Sequence, residues 1–202
     1  MNRLFYFNVL HVTLLTESSL NRNILANCPK DFRFTFLNTA EIIDYARDPS
    51  LDMDELFLNE AFLKGDRCYA ALNGDDLASY GWYSNKPTLI ENDLMITYDR
   101  KYIYMYKGFT REKYRGLRLH GIGKAKALVR FCGWGYGGII SYVEFTNFDS
   151  RKSVYRIGAR RAGTLWIVKI GGRYFIHSSG ECDRYRVSLK GVCSWICDQP
   201  DL

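Results

Sequence analysis

Between Tyr102 and Cys132 the chain passes from a strand-like run, YIYMY, through the basic loop KGFTREKYRGLR into a helical pattern, LHGIGKAKALVRFC. Few segments restrict a fold more, because the strand and the helix are joined by a loop too short for either to lie elsewhere. Alternating Tyr and Ile favour a strand. Leu119, Ile122, Ala125, Val129 and Cys132 recur at three- and four-residue spacing, which predicts one apolar face on a helix over Leu119–Phe131. Gly133, Gly135, Gly137 and Gly138 then end that helix.

The same segment carries chemistry. The first N–H groups of a helix lack intrahelical partners and sit at the positive end of its dipole, so they suit anionic oxygens. Gly116, Gly121 and Gly123 allow close backbone approach, while Arg111, Lys113, Arg115, Arg118 and Lys124 supply cations. The loop has neither a GxxxxGK[ST] run nor the glycine fingerprint of dinucleotide-binding folds.

The remaining pattern is mixed. Leu4–Leu15 reads as a strand, Thr39–Arg47 and Asp52–Leu63 as helices, and Cys68–Leu72 with Leu77–Tyr83 as a hairpin around Asn73-Gly74-Asp75-Asp76. A polar stretch follows Pro87. Ile139–Phe145 is a strand, Ser150–Arg156 a short helix, and Thr164–Ile170 with Arg173–Ser178 a second hairpin about Gly171-Gly172. This order predicts an α/β (α+β) fold rather than strict βαβ alternation.

Composition narrows the class further. The 202 residues fit one domain over 1–180 with a tail or extra element over 181–202. A net charge of +6 suits a polyphosphate ligand, and also permits a nucleic-acid-binding module, although no RNP-like or helix-turn-helix signature is present. The six cysteines form no CxxC pair and there are three His, which argues against a structural metal site. Cys193 and Cys197 are spaced to share a helical face or to pair by oxidation, and reduced, partly buried thiols are expected. The apolar start is too short to span a bilayer, and a soluble cytoplasmic protein is expected.

The basic loop resembles the signature of the GCN5-related N-acetyltransferase (GNAT) superfamily, an Arg/Gln-x-x-Gly-x-Gly/Ala core following a strand. Arg118-Leu119-His120-Gly121-Ile122-Gly123 matches the core by letter, whereas Arg115-Gly116 matches by distance from the strand end. The second register puts Arg118 and His120 where the family carries glycines, and is the one adopted. Asn147, Ser150 and Gly158 repeat a second family spacing directly after the strand IISYVEF.

The resemblance implies a mixed, mostly antiparallel central sheet with helices on both faces. It implies an acyl-CoA-dependent N-acyltransferase, most simply moving acetyl from acetyl-CoA, or another acyl group from another acyl-CoA, to a small-molecule amine or amino sugar. It further implies that Phe109 and Thr110 accompany the pantetheine arm and that Arg115, Gly116, Leu117, Arg118, Gly121 and Gly123 cradle the pyrophosphate. Asn147 would contact the arm further along. Tyr155 stands one residue beyond the position of the family's proton-donating Tyr, and Glu144, Glu91 and Asp93 are candidate bases. Cys132 and His120 are too far apart on one helix to form a nucleophile pair. Alternatives are long-chain acyl transfer from an acyl-carrier protein and a fold relative that binds without catalysis.

Overall fold

A computed structural model describes residues 5–91 and 94–191. Strand β1 (Phe5–Leu15) is followed by a helical turn α1 (Asn23–Ala26), strand β2 (Arg33–Phe36) and helix α2 (Thr39–Tyr45). Asn38 and Glu41 start α2 with reciprocal side-chain to backbone hydrogen bonds. Helix α3 (Glu55–Lys64) begins three residues later than its acidic run suggests. Asp52 adopts φ 53°, and Asp54 caps the helix by accepting from the Phe57 N–H.

Both hairpins form. β3 (Arg67–Asn73) and β4 (Asp76–Ser84) turn at Gly74, φ 55°. β5 (Thr88–Glu91) and β6 (Leu94–Thr97) follow, then β7 (Ile103–Thr110), α4 (Leu119–Gly133), β8 (Ile139–Glu144) and α5 (Phe148–Arg156). β9 (Arg160–Ile170) and β10 (Arg173–Ser178) turn through Gly171 and Gly172, both at positive φ. A helical turn α6 (Gly180–Asp183) and strand β11 (Ser188–Gly191) complete the described chain.

Eight strands form one sheet in the order β10-β9-β1-β8-β7-β4-β3-β2. Every neighbouring pair is antiparallel except β7–β8, which is parallel. α1, α4 and α5 cover one face through Ile24, Ile122, Leu128, Phe131 and Val154. α2 and α3 cover half of the other through Ile42, Leu58 and Ala61. A three-stranded sheet, β11-β6-β5, and Cys182 of α6 cover the rest. The fold is thus mixed α/β, with a mostly antiparallel sheet and helices on both faces.

The described part of the segment from Glu181, expected as a tail or an extra element, packs as an element, with Cys182, Val187 and Leu189 buried in the core. Two expectations change. The stretch after Pro87 holds two four-residue strands rather than a polar connection. The buried stripe of α4 runs through Leu119, Ile122, Ala125, Leu128 and Phe131, leaving Val129 44% exposed. Cys193 and Cys197 lie outside the described residues, as does Asp93, and of Glu91 only the backbone is described. Among the described residues no helix is long and apolar enough to cross a membrane.

Candidate functional site

β7 and β8 pair through Ile103↔Ile139 and Tyr104↔Ile140 and then diverge. From Met105 onward, β7 keeps β4 on one side but, among the described residues, has no strand partner on the other. A row of backbone donors and acceptors therefore faces an interior cleft, a template for an extended ligand carrying amides. Phe109 stacks on Tyr80, with ring centroids 5.5 Å apart. The Thr110 hydroxyl bonds to that of Ser79 at 2.8 Å. Their side chains are engaged with β4, so what they can offer a ligand is backbone.

The cleft opens into a cavity of about 260 Å³ that reaches both faces of the sheet. On the α4/α5 face its wall includes Met105, Val143, His120 and Lys124. On the opposite face it includes Tyr106, Tyr142 and Glu144. A second cavity, about 220 Å³, shares Tyr106 and Lys107 and extends over Glu60 and Lys64 of α3.

The loop before α4 settles into a 3-10 turn, Glu112–Tyr114, then Arg115 in extended backbone, Gly116 at φ 86° and Arg118 at φ 59°. Helical bonding starts with the Ile122 N–H to the Arg118 carbonyl, 3.0 Å. The N–H groups of Leu119, His120 and Gly121 therefore have no acceptor within the helix. Arg118 occupies left-handed backbone, a conformation glycine adopts without strain. Gly121 and Gly123 sit inside the helix. A Cβ on Gly121 would stand 3.1 Å from Ile157 Cγ2, and one on Gly123 would meet Phe34. Their side-chain faces are packing positions, and only the Gly121 N–H remains at the helix start.

The five cations of this segment divide. Arg111 is held by Asp48, the Ser50 hydroxyl and the Leu77 carbonyl, and Lys113 by Asp76. Arg115 and Arg118 stay exposed beside the helix start. Lys124 is 2% exposed, and its Nζ donates to Ser141 Oγ at 2.6 Å. Burial pushes its pKa down to about 7. Lys124 is the residue the sequence pattern counts among loop cations but the fold takes inside. The available signal is its place four residues before Leu128 and seven before Phe131, on the buried stripe.

His120 has structural consequences for the cleft. A Cβ on Gly108 of β7 would stand 2.2 Å from His120 Cε1, so the imidazole lies against the bare backbone of the cleft edge. Burial and the neighbouring Lys124 lower its pKa to about 4, leaving it neutral at pH 7.

Asn147 caps α5, its Oδ1 accepting from the Ser150 N–H at 3.1 Å, and both residues line the cavity. Gly158, the third residue of that spacing, stands at φ 96° where a Cβ would come 2.0 Å from the Ser19 carbonyl oxygen. Its role is a close backbone approach. Tyr155 is 38% exposed and is not part of the cavity wall, which takes Val154 instead. One residue along a helix turns a side chain by about 100°, enough to carry Tyr155 away. Glu144 is brought to the cavity, where Asn8 Nδ2 donates to its Oε1 at 3.3 Å. The phenols on the wall are Tyr142 and Tyr106, the latter donating to Asp66 at 2.8 Å. Both fall in strand alternation that gives them no motif to be found by.

No family model matches the chain and no curated protein matches its sequence. Solved structures match its fold. A GCN5-related N-acetyltransferase-like protein from Streptococcus suis aligns with TM-score 0.54 at 12% identity, over 83% of this chain and 63% of that one. An acetyltransferase of the GNAT family from Colwellia psychrerythraea gives 0.54 at 13%, over 81% and 55%. A tandem GNAT protein of the clavulanic acid biosynthesis pathway gives 0.55 at 12%, over 86% and 54%. The chain thus spans less than two thirds of the length of each. The likeness is one of fold, and the fold is that of the GNAT acetyltransferases.

Proposed function

We propose that the protein transfers an acyl group from a coenzyme A thioester to an amine of a small molecule. The observation that carries this reading is the cavity through the sheet where β7 and β8 diverge, open to α4 and α5 on one face and to Glu144 on the other. The groups present suit such a donor. The unpartnered edge of β7 matches the amides of a pantetheine arm, and the free N–H groups of Leu119, His120 and Gly121, with Arg115 and Arg118, match a pyrophosphate. The thioester supplies an activated carbonyl carbon when bound.

Glu144 accepts the proton that an ammonium must lose before its nitrogen can attack, directly or through water. As the new C–N bond forms and the C–S bond breaks, the sulfur leaves as thiolate. Tyr142, which lines the cavity, would return a proton there, the role that sequence spacing offers to Tyr155.

Thermal-shift titration with coenzyme A and acetyl-CoA tests the donor site. Both are expected to stabilise the wild type, and Arg115→Ala to lose most of the shift. No stabilisation by either compound, or equal stabilisation of both proteins, overturns the assignment. A second reading, a GNAT-fold protein that binds without turnover, is favoured by His120 lying in the cleft against Gly108. Release of free thiol across a panel of amines separates the two, since a binder alone releases none.

A further inference from the structure

Lys124 carries an amine shut inside the cavity wall, and among the described residues it has no anion beside it. Among the described residues no carboxylate lies within ion-pair distance of its Nζ. Among the described residues its one hydrogen-bond partner is Ser141 Oγ. Ser141 Oγ is also 2.9 Å from Thr13 Oγ1, and Thr13 Oγ1 donates to the Ser141 carbonyl. This chain has one consistent direction: Lys124 donates to Ser141, Ser141 to Thr13, and Thr13 to the backbone. Ser141 is thereby held as an acceptor, and the remaining N–H donors of an ammonium have no acceptor among the described residues. Glu144 is three residues beyond Ser141 on β8, about 10 Å along the strand, and sits at the opposite mouth.

The position matters as much as the charge. Ser141 is the first residue of β8 beyond the last β7–β8 pair, so the amine stands at the floor of the divergence. A donor lying along the β7 edge would direct its acyl chain to this floor. A plain hydrocarbon acyl group would leave the amine buried and unpaired, which is costly, whereas a carboxylate would complete an ion pair in a site already desolvated. The 260 Å³ available suits a short chain.

Resting on the donor-site reading above, we infer that the preferred donor carries a short dicarboxylic acyl group, of the malonyl or succinyl class, whose free carboxylate pairs with Lys124. The transferred group then leaves a carboxylate, not a methyl, on the product amide. Binding calorimetry at pH 6.5 with coenzyme A, acetyl-, butyryl-, malonyl- and succinyl-CoA tests it on wild type and Lys124→Met. One dicarboxylic thioester is expected to bind at least about tenfold more tightly than butyryl-CoA in the wild type, as one charge-assisted pair implies. In Lys124→Met that preference disappears while affinity for coenzyme A itself is kept. Equal affinities in the wild type, or a preference that survives in the variant, overturn the proposal. If coenzyme A binds neither protein, the donor-site reading fails first and the inference falls with it.

Discussion

Replacing Lys124 by Met removes a buried amine that the fold holds at a cost, so the variant gains stability by an amount that depends on pH. The ordinary lysine value of 10.5 falls to about 7 in the folded chain. Between these values the unfolded state binds more protons than the folded one, so the wild type gains stability as pH rises. The burden on the wild type is about 4 kcal/mol at pH 7 and about 2 kcal/mol at pH 9 by linkage. Methionine keeps most of the volume, and Ser141 Oγ retains Thr13 as a partner. The lost Lys124–Ser141 bond offsets about 1 kcal/mol at either pH. Urea unfolding of both proteins at pH 7, 8 and 9 reads the difference, since other titrating groups are common to the two. The advantage of Lys124→Met is expected to shrink by about 2 kcal/mol from pH 7 to pH 9. A constant or growing advantage would refute the placement of an unpaired amine in the core.

Other perturbations address the cleft and its supports. Gly108→Ala pushes a methyl into the His120 ring and should cost about 1–3 kcal/mol, with much of it recovered in Gly108→Ala/His120→Ala; additive losses in denaturant titrations would separate the two sites. Arg118→Gly relieves left-handed backbone by about 1 kcal/mol yet removes an exposed cation, so the melting temperature should rise while coenzyme A affinity falls. A fall in both readouts would count against that division of roles. Gly158→Ala meets the Ser19 carbonyl as well as an unfavourable φ and should lose at least about 2 kcal/mol; unchanged chemical denaturation would contradict a purely backbone role.

Local chemistry made much of this architecture readable. The two hairpins carry glycine at the turn, and α4 carries a face of apolar residues, so their existence follows from the residues themselves. β5, β6 and β11 are four residues each and too short to display an alternation, and they are stable only because they pair with one another over β1 and β8. The glycine-rich loop suggested an anion site, but which of its cations stay exposed was decided by Asp48 and Asp76, distant in sequence. Tyr142 and Lys124 reach the cavity only because two parallel strands part at Tyr104, a tertiary event with no local signature. Tyr155 shows the converse: the helix was readable, while its rotation about the cavity was decided one residue at a time.

A crystal structure of the protein with coenzyme A tests the central claim most directly. The pantetheine arm is expected along Met105–Gly108, with its amides bonded to the β7 edge, His120 displaced from Gly108, and the pyrophosphate against the N–H groups of Leu119–Gly121. Coenzyme A bound elsewhere, or His120 still lying against Gly108 at saturating ligand, would contradict the assignment of this cleft to an acyl donor.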